Sequence, residues 1–144
     1  MSRKIRINPA QLPLHYRQQI TIQQPNKPKK INVWEPYRNQ WEWKYANEIL
    51  EFQKKAGENQ GYIYEKIKLV LAKGVTYIPD FVVLTTGGRA EIHEVKGFWE
   101  QGAWIKFKMA HDQLNHLFDF FVCYIDKFTK QWRIESFETY RKHS

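Results

Sequence analysis

Three segments carry side chains whose types and spacing suit chemistry. In Tyr77-Ile78-Pro79-Asp80-Phe81-Val82-Val83, a proline interrupts a strand-like run. Proline donates nothing to a sheet ladder, so it marks an edge, a strand start or a bulge, and a bulge re-aims the carboxylate that follows. An isolated Pro-Asp also suits an ordinary turn. In Ile92-His93-Glu94-Val95-Lys96-Gly97, the strand period puts Glu94 and Lys96 on one face and His93 and Val95 on the other. Alone, that pair also fits a salt bridge at a strand end. The third segment is a helix-like stretch, Gln40 to Ala56, in which Trp41, Tyr45, Ala46, Ile49, Leu50, Phe52 and Ala56 share a broad apolar face. Glu42 points into the middle of that face. It therefore needs a cation, a hydrogen-bond network or a wet cleft, unless it is a first-turn glutamate that the helix dipole favours in water.

Asp80 and Glu94 stand fourteen positions apart across an expected hairpin, so they are candidate cross-strand neighbours. Two such carboxylates repel unless a cation lies between them. Hard oxygen donors suit Mg²⁺, with Mn²⁺ as a substitute, and the chain has no Cys/His cluster for zinc. Glu42 is a candidate third carboxylate. Lys96 beside such a metal would stabilise phosphate charge or orient a water.

The elements that must position these groups follow from the same patterns. Asn39 suits the N-cap of the first helix and Gly57 its end. Gly61 to Leu71 and Val75 to Leu84 read as strands joined by the turn Ala72-Lys73-Gly74. The turn Thr85-Thr86-Gly87-Gly88 leads into a strand from Ala90 to Lys96. A helix from Gly102 to Leu117 and a strand from Asp119 to Asp126 complete a β-α-β unit, which implies parallel pairing. A short strand near Trp132–Glu135 and a small C-terminal helix close the domain. The expected class is α/β, a mixed sheet flanked by helices. On the second helix, Phe107, Ala110, Leu114 and Phe118 form a core stripe; Lys106 and Lys108 beside it suit phosphate contacts or a solvated surface equally.

The set Pro79-Asp80, then Glu94-Val95-Lys96, preceded by a helical glutamate, resembles the PD-(D/E)xK nuclease signature. More narrowly, Tyr77 to Phe81 with Glu94-Val95-Lys96-Gly97-Phe98-Trp99-Glu100 is similar to the endonuclease I-type Holliday junction resolvases of bacteriophages and to related small phage proteins. The resemblance spans roughly Gln40 to Ile125 and implies a restriction-endonuclease-like core. It further implies that Asp80, Glu94 and the Val95 carbonyl hold metal, that Lys96 is the catalytic lysine, and that the helical acid is Glu42, with Glu48 as the fallback. It implies a homodimer that exchanges elements; the strand-like patch Gln18 to Gln24 is the candidate for exchange, able to pair with a sheet edge on its own body or on a second subunit.

Charge divides the chain of 144 residues at position 38. Residues 1–38 hold eight basic residues and one acid, a net +7; residues 39–144 hold fifteen and fourteen, a net +1. The first stretch also has five of the six prolines and none of the seven glycines, which predicts an extended basic arm ahead of a domain over 39–144. Lys27, Lys29, Lys30 and Arg38 are its candidate DNA contacts, and a solubilising tail is the alternative. The longest apolar run, Phe120 to Ile125, is far short of a membrane span, and Met1-Ser2-Arg3-Lys4 leads into no signal-like stretch. Cys123 alone forms no internal disulfide, which fits a reducing cytoplasm, that of a host cell for a phage protein. The expectation is a Mg²⁺-dependent DNA endonuclease acting on branched DNA such as four-way junctions. Its rivals are a nuclease for duplex or single-stranded DNA and a non-catalytic nucleic-acid-binding protein.

Overall fold

The structure, a computed structural model, describes residues 13–14, 19–22 and 33–143. The first helical run begins where the sequence predicts. Asn39 caps it, its side-chain oxygen accepting from the Glu42 amide at 3.0 Å. It continues as α1 (Gln40–Tyr45), a π-helical turn (Ala46–Leu50) and α2 (Glu51–Lys55), and Gly57, at φ 78°, lies just past its end. The wider π turn rotates everything beyond it. Phe52, expected on the apolar face, is consequently exposed, while Tyr45, Ala46 and Leu50 are buried.

The two long strands expected at 61–71 and 75–84 are each broken in the middle. The first divides into β2 (Asn59–Tyr64) and β3 (Ile67–Ala72) at Glu65, which has φ 44°. The second divides into β4 (Val75–Tyr77) and β5 (Phe81–Thr85) at Ile78-Pro79-Asp80. Proline fixes φ and lacks the ladder donor, so pairing stops before it and resumes after Asp80. The chain continues through β6 (Ala90–Val95), α3 (Gln101–Leu114), β7 (Phe118–Ile125), β8 (Trp132–Ser136) and α4 (Phe137–Arg141). The helix α3 ends at Leu114 rather than Leu117.

These breaks distribute the strands between two sheets. A five-stranded sheet has the order β2-β5-β6-β7-β8, antiparallel except for the β6–β7 pair, which is parallel as the β-α-β order predicts. A small sheet orders as β1-β3-β4, where β1 (Ile20–Ile22) runs antiparallel to β3 with Ile20 opposite Leu69. Residues 20–22 of the candidate exchange patch therefore pair within their own chain, and its residues 18, 23 and 24 lie outside the described residues.

Apolar residues fill both faces of the large sheet. On one, Tyr45, Ala46 and Leu50 of the first helical run pack on Phe81, Val83, Val95 and Cys123. On the other, Phe107, Ala110 and Leu114 of α3 join Ile92, Val82 and Val122 with Ile20 and Leu69 of the small sheet. Burial on both sides is what a strand inside a β-α-β crossover requires. No helix among the described residues is long and apolar enough to cross a membrane.

Candidate active site

The break after β4 leaves Asp80 at the end of the sheet, one position beyond the Phe81–His93 pair and beside Glu94. Both carboxylates are almost wholly enclosed, at 1% and 5% exposure. Asp80 Oδ2 accepts from the Val95 amide at 2.9 Å, so the strand after Glu94 fixes its side chain. Glu94 Oε2 accepts from the Tyr77 hydroxyl and, at 3.4 Å, from the Asp80 amide. Its other oxygen meets Lys96 Nζ at 3.2 Å. The strand period thus brings Glu94 and Lys96 together, and Lys96 Nζ also stands 5.2 Å from the Trp99 ring centre.

Glu42 arrives from the opposite face of the sheet, on α1, and is 3% exposed. Its Oε2 accepts from both the Tyr64 hydroxyl and the Arg38 amide, the latter at 3.1 Å. Arg38, counted from the sequence with the DNA-binding arm, connects it to the rest. One guanidinium nitrogen lies 3.4 Å from Glu42, 3.2 Å from Asp80 and 2.7 Å from Glu65. Glu65 is a carboxylate the sequence reading did not single out, although a signal was present. It shares parity with Ile63, Ile67 and Leu69, so a continuous strand would place its charge on an apolar face. Breaking the strand there turns it toward Arg38 instead. Tyr64 and Tyr77, the latter quoted only as the start of the Pro79-Asp80 segment, had no site role in the sequence, because tyrosine in a strand reads as ordinary packing.

Electrostatics follow from this enclosure. Burial first, then repulsion from Glu94, raises the Asp80 pKa well above the usual range, with Lys96 opposing. Burial raises that of Glu94 too, against the pull of Lys96 and Tyr77. Burial pulls the Lys96 pKa down, but Glu94 and Asp80 outweigh it and the pKa is raised. Lys96 is therefore a persistent cation, suited to holding anionic charge rather than to taking a proton.

Among the described residues, no three His, Cys, Asp or Glu side chains converge as a metal-binding group. Arg38 stands between Glu42 and Asp80, and Lys96 takes one oxygen of Glu94. Both cations rest on the hard oxygen donors that Mg²⁺ or Mn²⁺ would use. Asp80, Glu94 and Glu42 are the donor types such an ion takes, and the Arg38 side chain that stands between two of them is more than half exposed. Glu48 is not part of the cluster; it is exposed and accepts from Trp132 Nε1 at 2.8 Å. Lys106 and Lys108 are exposed on α3. Lys27, Lys29 and Lys30 lie outside the described residues. No protein-family model, curated protein or solved structure matches the chain.

Proposed function

We propose that the protein is a metal-dependent DNA endonuclease of the PD-(D/E)xK type, with a restriction-endonuclease-like core. The observation that carries this reading is the enclosed pair Asp80 and Glu94 at a proline-broken strand end, with Lys96 on Glu94. An apolar core gains nothing from two adjacent buried carboxylates, which cost stability unless a cation or a reaction uses them.

Asp80, Glu94 and the Val95 carbonyl would hold a divalent ion, joined by Glu42 when Arg38 leaves the gap. Such an ion supplies Lewis-acid stabilisation of phosphate charge and acidifies a water for in-line attack. The chain itself does the remainder. The Val95 amide and Tyr77 hydroxyl fix the two carboxylates, and Lys96 holds its ammonium where negative charge develops on phosphate. Arg38, displaced outward from the carboxylates, becomes available to a DNA phosphate.

Branched DNA, such as four-way junctions, is the substrate class suggested by the resemblance of residues 77–100 to phage resolvases. Junction resolution cuts two strands, which suits a homodimer with one site per subunit. The test is a gel with a four-way junction and a linear duplex, each with Mg²⁺ or EDTA. Junction cutting alone supports resolution; cutting of both supports a general nuclease; a stable shift without cutting supports a binding protein. Asp80→Ala and Glu94→Ala are each expected to lower cleavage by at least about 10²-fold while junction binding survives. Undiminished cleavage by either variant sinks the assignment.

A further inference from the structure

The face of β6 turned toward α1 opens into a cleft of about 250 Å³ that shares Val95 and Lys96 with the candidate metal site and extends beyond it. It is lined by the aromatic rings of Trp41 and Trp132, by Val95 and Gly97, and by Lys127 and Lys130. Lys96 also lines it, so the cleft adjoins the candidate active site directly. Drug-sized ligands occupy roughly 300–1,000 Å³. This space is smaller, on the scale of a single base.

The two tryptophans are held differently. Trp132 is fixed: its ring meets Tyr45 edge-on at 5.1 Å between centres, and its Nε1–H donates to Glu48 at 2.8 Å. Trp41, in the first turn of α1, is 49% exposed, with Lys44 Nζ 5.3 Å from its ring centre. Trp41 belongs to neither buried core cluster, and an exposed indole in the same lining as a fixed one offers a ligand a surface to stack on.

The rim is preorganised and positive. Asp126, the one acid lining the cleft, accepts from the Phe128 and Thr129 amides at 2.8 and 2.9 Å and pairs with Arg133 at 3.3 Å. Its charge shapes the β7–β8 turn instead of facing a ligand. Lys127 and Lys130 make no ion pair among the described residues, and Phe128 between them is 95% exposed. Aromatic walls with free lysines at the mouth complement a nucleotide: a base to stack and phosphates to hold.

We infer that the cleft between Trp41 and Trp132 is a nucleobase slot, which takes one unstacked base of a single-stranded or branch-point DNA segment beside the phosphate at Lys96. The inference rests on the DNA-cleavage reading of the neighbouring strand end and deepens it. Bases inside an intact duplex are stacked and cannot enter without being extruded, whereas those at a branch or in a single strand are available. The slot therefore selects DNA with unpaired nucleotides next to the cut.

The test uses the full chain in EDTA, where binding is read without cleavage. Labelled oligo(dT) of about eight nucleotides, within the range one single-strand site covers, is compared by fluorescence anisotropy with a blunt duplex. Trp41→Ala is expected to weaken oligo(dT) binding about 5- to 150-fold, the worth of one stacked base, and to leave duplex binding unchanged. Trp41→Phe should retain most of the affinity, which separates stacking from damage to α1, and circular dichroism checks that both variants are folded. The pair Lys127→Ser and Lys130→Ser should flatten the salt dependence for oligo(dT) by roughly 1.4 in slope, at about 0.7 per phosphate contact. A wild type that does not bind oligo(dT), a Trp41→Ala variant that binds it normally, or one that loses duplex and single strand alike overturns the slot. Failure of the nuclease reading looks different. A wild type that shows Trp41-dependent binding but cuts nothing with Mg²⁺ overturns only the reaction.

Discussion

Burial first, and the neighbouring Glu94 carboxylate second, push the Asp80 pKa well above the ordinary aspartate range. Unfolded, the same side chain titrates near ~3.9. Between those two values the native state holds a proton that the unfolded chain has lost, so stability falls as pH rises across the interval. Glu94, also raised by burial, adds a change of the same sign. Metal-free protein is therefore expected to melt at progressively lower temperature as pH increases from about 4 toward neutrality. Asp80→Asn, which keeps an acceptor for the Val95 amide, should melt higher at neutral pH and show a shallower decline. If the two carboxylates take Mg²⁺ as proposed, a parallel series in Mg²⁺ should show the complementary effect, because the ion would displace that proton and bind more tightly as pH rises. A wild-type melting temperature that climbs across the same range would contradict the raised carboxylates. Three acids of the candidate site were legible in the sequence because each breaks a local rule: Glu42 on an apolar helix face, Asp80 after a strand proline, Glu94 inside a two-sided strand; Glu65 was not. Arg38 was legible only as one charge in a basic arm. Its contact with three carboxylates depends on residues 42, 65 and 80 meeting in space, and no local pattern encodes that meeting.

At the scale of elements, a buried polar chain fixes α1, and with it Glu42, to the sheet. The Cys123 thiol donates to the Tyr45 hydroxyl at 3.2 Å, and Tyr45 bonds His93 Nδ1. The other ring nitrogen of His93 reaches Glu91 at 2.8 Å. Helix, β6 and β7 are thereby tied through groups that carry no reaction chemistry. Cys123 fits this structural role, since burial pushes its thiol pKa up and keeps it from acting as a nucleophile. Tyr45→Phe preserves the ring packing and strands His93 Nδ1 without a partner. It is expected to cost roughly 1–3 kcal/mol, the penalty for an unsatisfied buried polar group, read as a lower urea midpoint with an unchanged slope. An unchanged midpoint would mean that the chain of bonds contributes nothing. Element boundaries were harder to read than element types. In the strand expected over 61–71, Glu65 is the one charge on the parity of Ile63, Ile67 and Leu69, and in the one over 75–84 Pro79-Asp80 interrupts an otherwise strand-like run. In both places the exception, and not the pattern, decided which sheet each half joined. The π turn had no sequence signal, because apolar residues spaced through Ala46–Leu50 satisfy an α-helical period equally well.

Across the whole molecule, the net charge of +8 is concentrated in residues 1–38, yet this stretch is not all appendage. Ile20 is buried in the core, β1 covers the edge of β3, and the Gln19 side chain bonds Gln113 of α3 at 3.2 Å. Tyr37, near the end of the stretch, packs edge-on against Tyr64 with ring centres 4.8 Å apart, and Arg38 is engaged with the carboxylates. An uncovered strand edge invites other chains, so removing residues 1–30 would alter folding and association together with charge. Substitution separates the effects. Lys27→Ser, Lys29→Ser and Lys30→Ser combined leave β1 in place and remove three positive charges. If those lysines contact duplex phosphates, each contributes about 0.9 to the slope of log affinity against log salt, and the triple variant should flatten it by roughly 2.7. Titrations of a linear duplex in EDTA between about 50 and 200 mM salt, with the urea midpoint as a control, measure this directly. An unchanged slope with an unchanged midpoint would leave the three lysines a solubilising role and assign the DNA contacts to the folded body, where Lys106, Lys108, Lys127 and Lys130 are exposed.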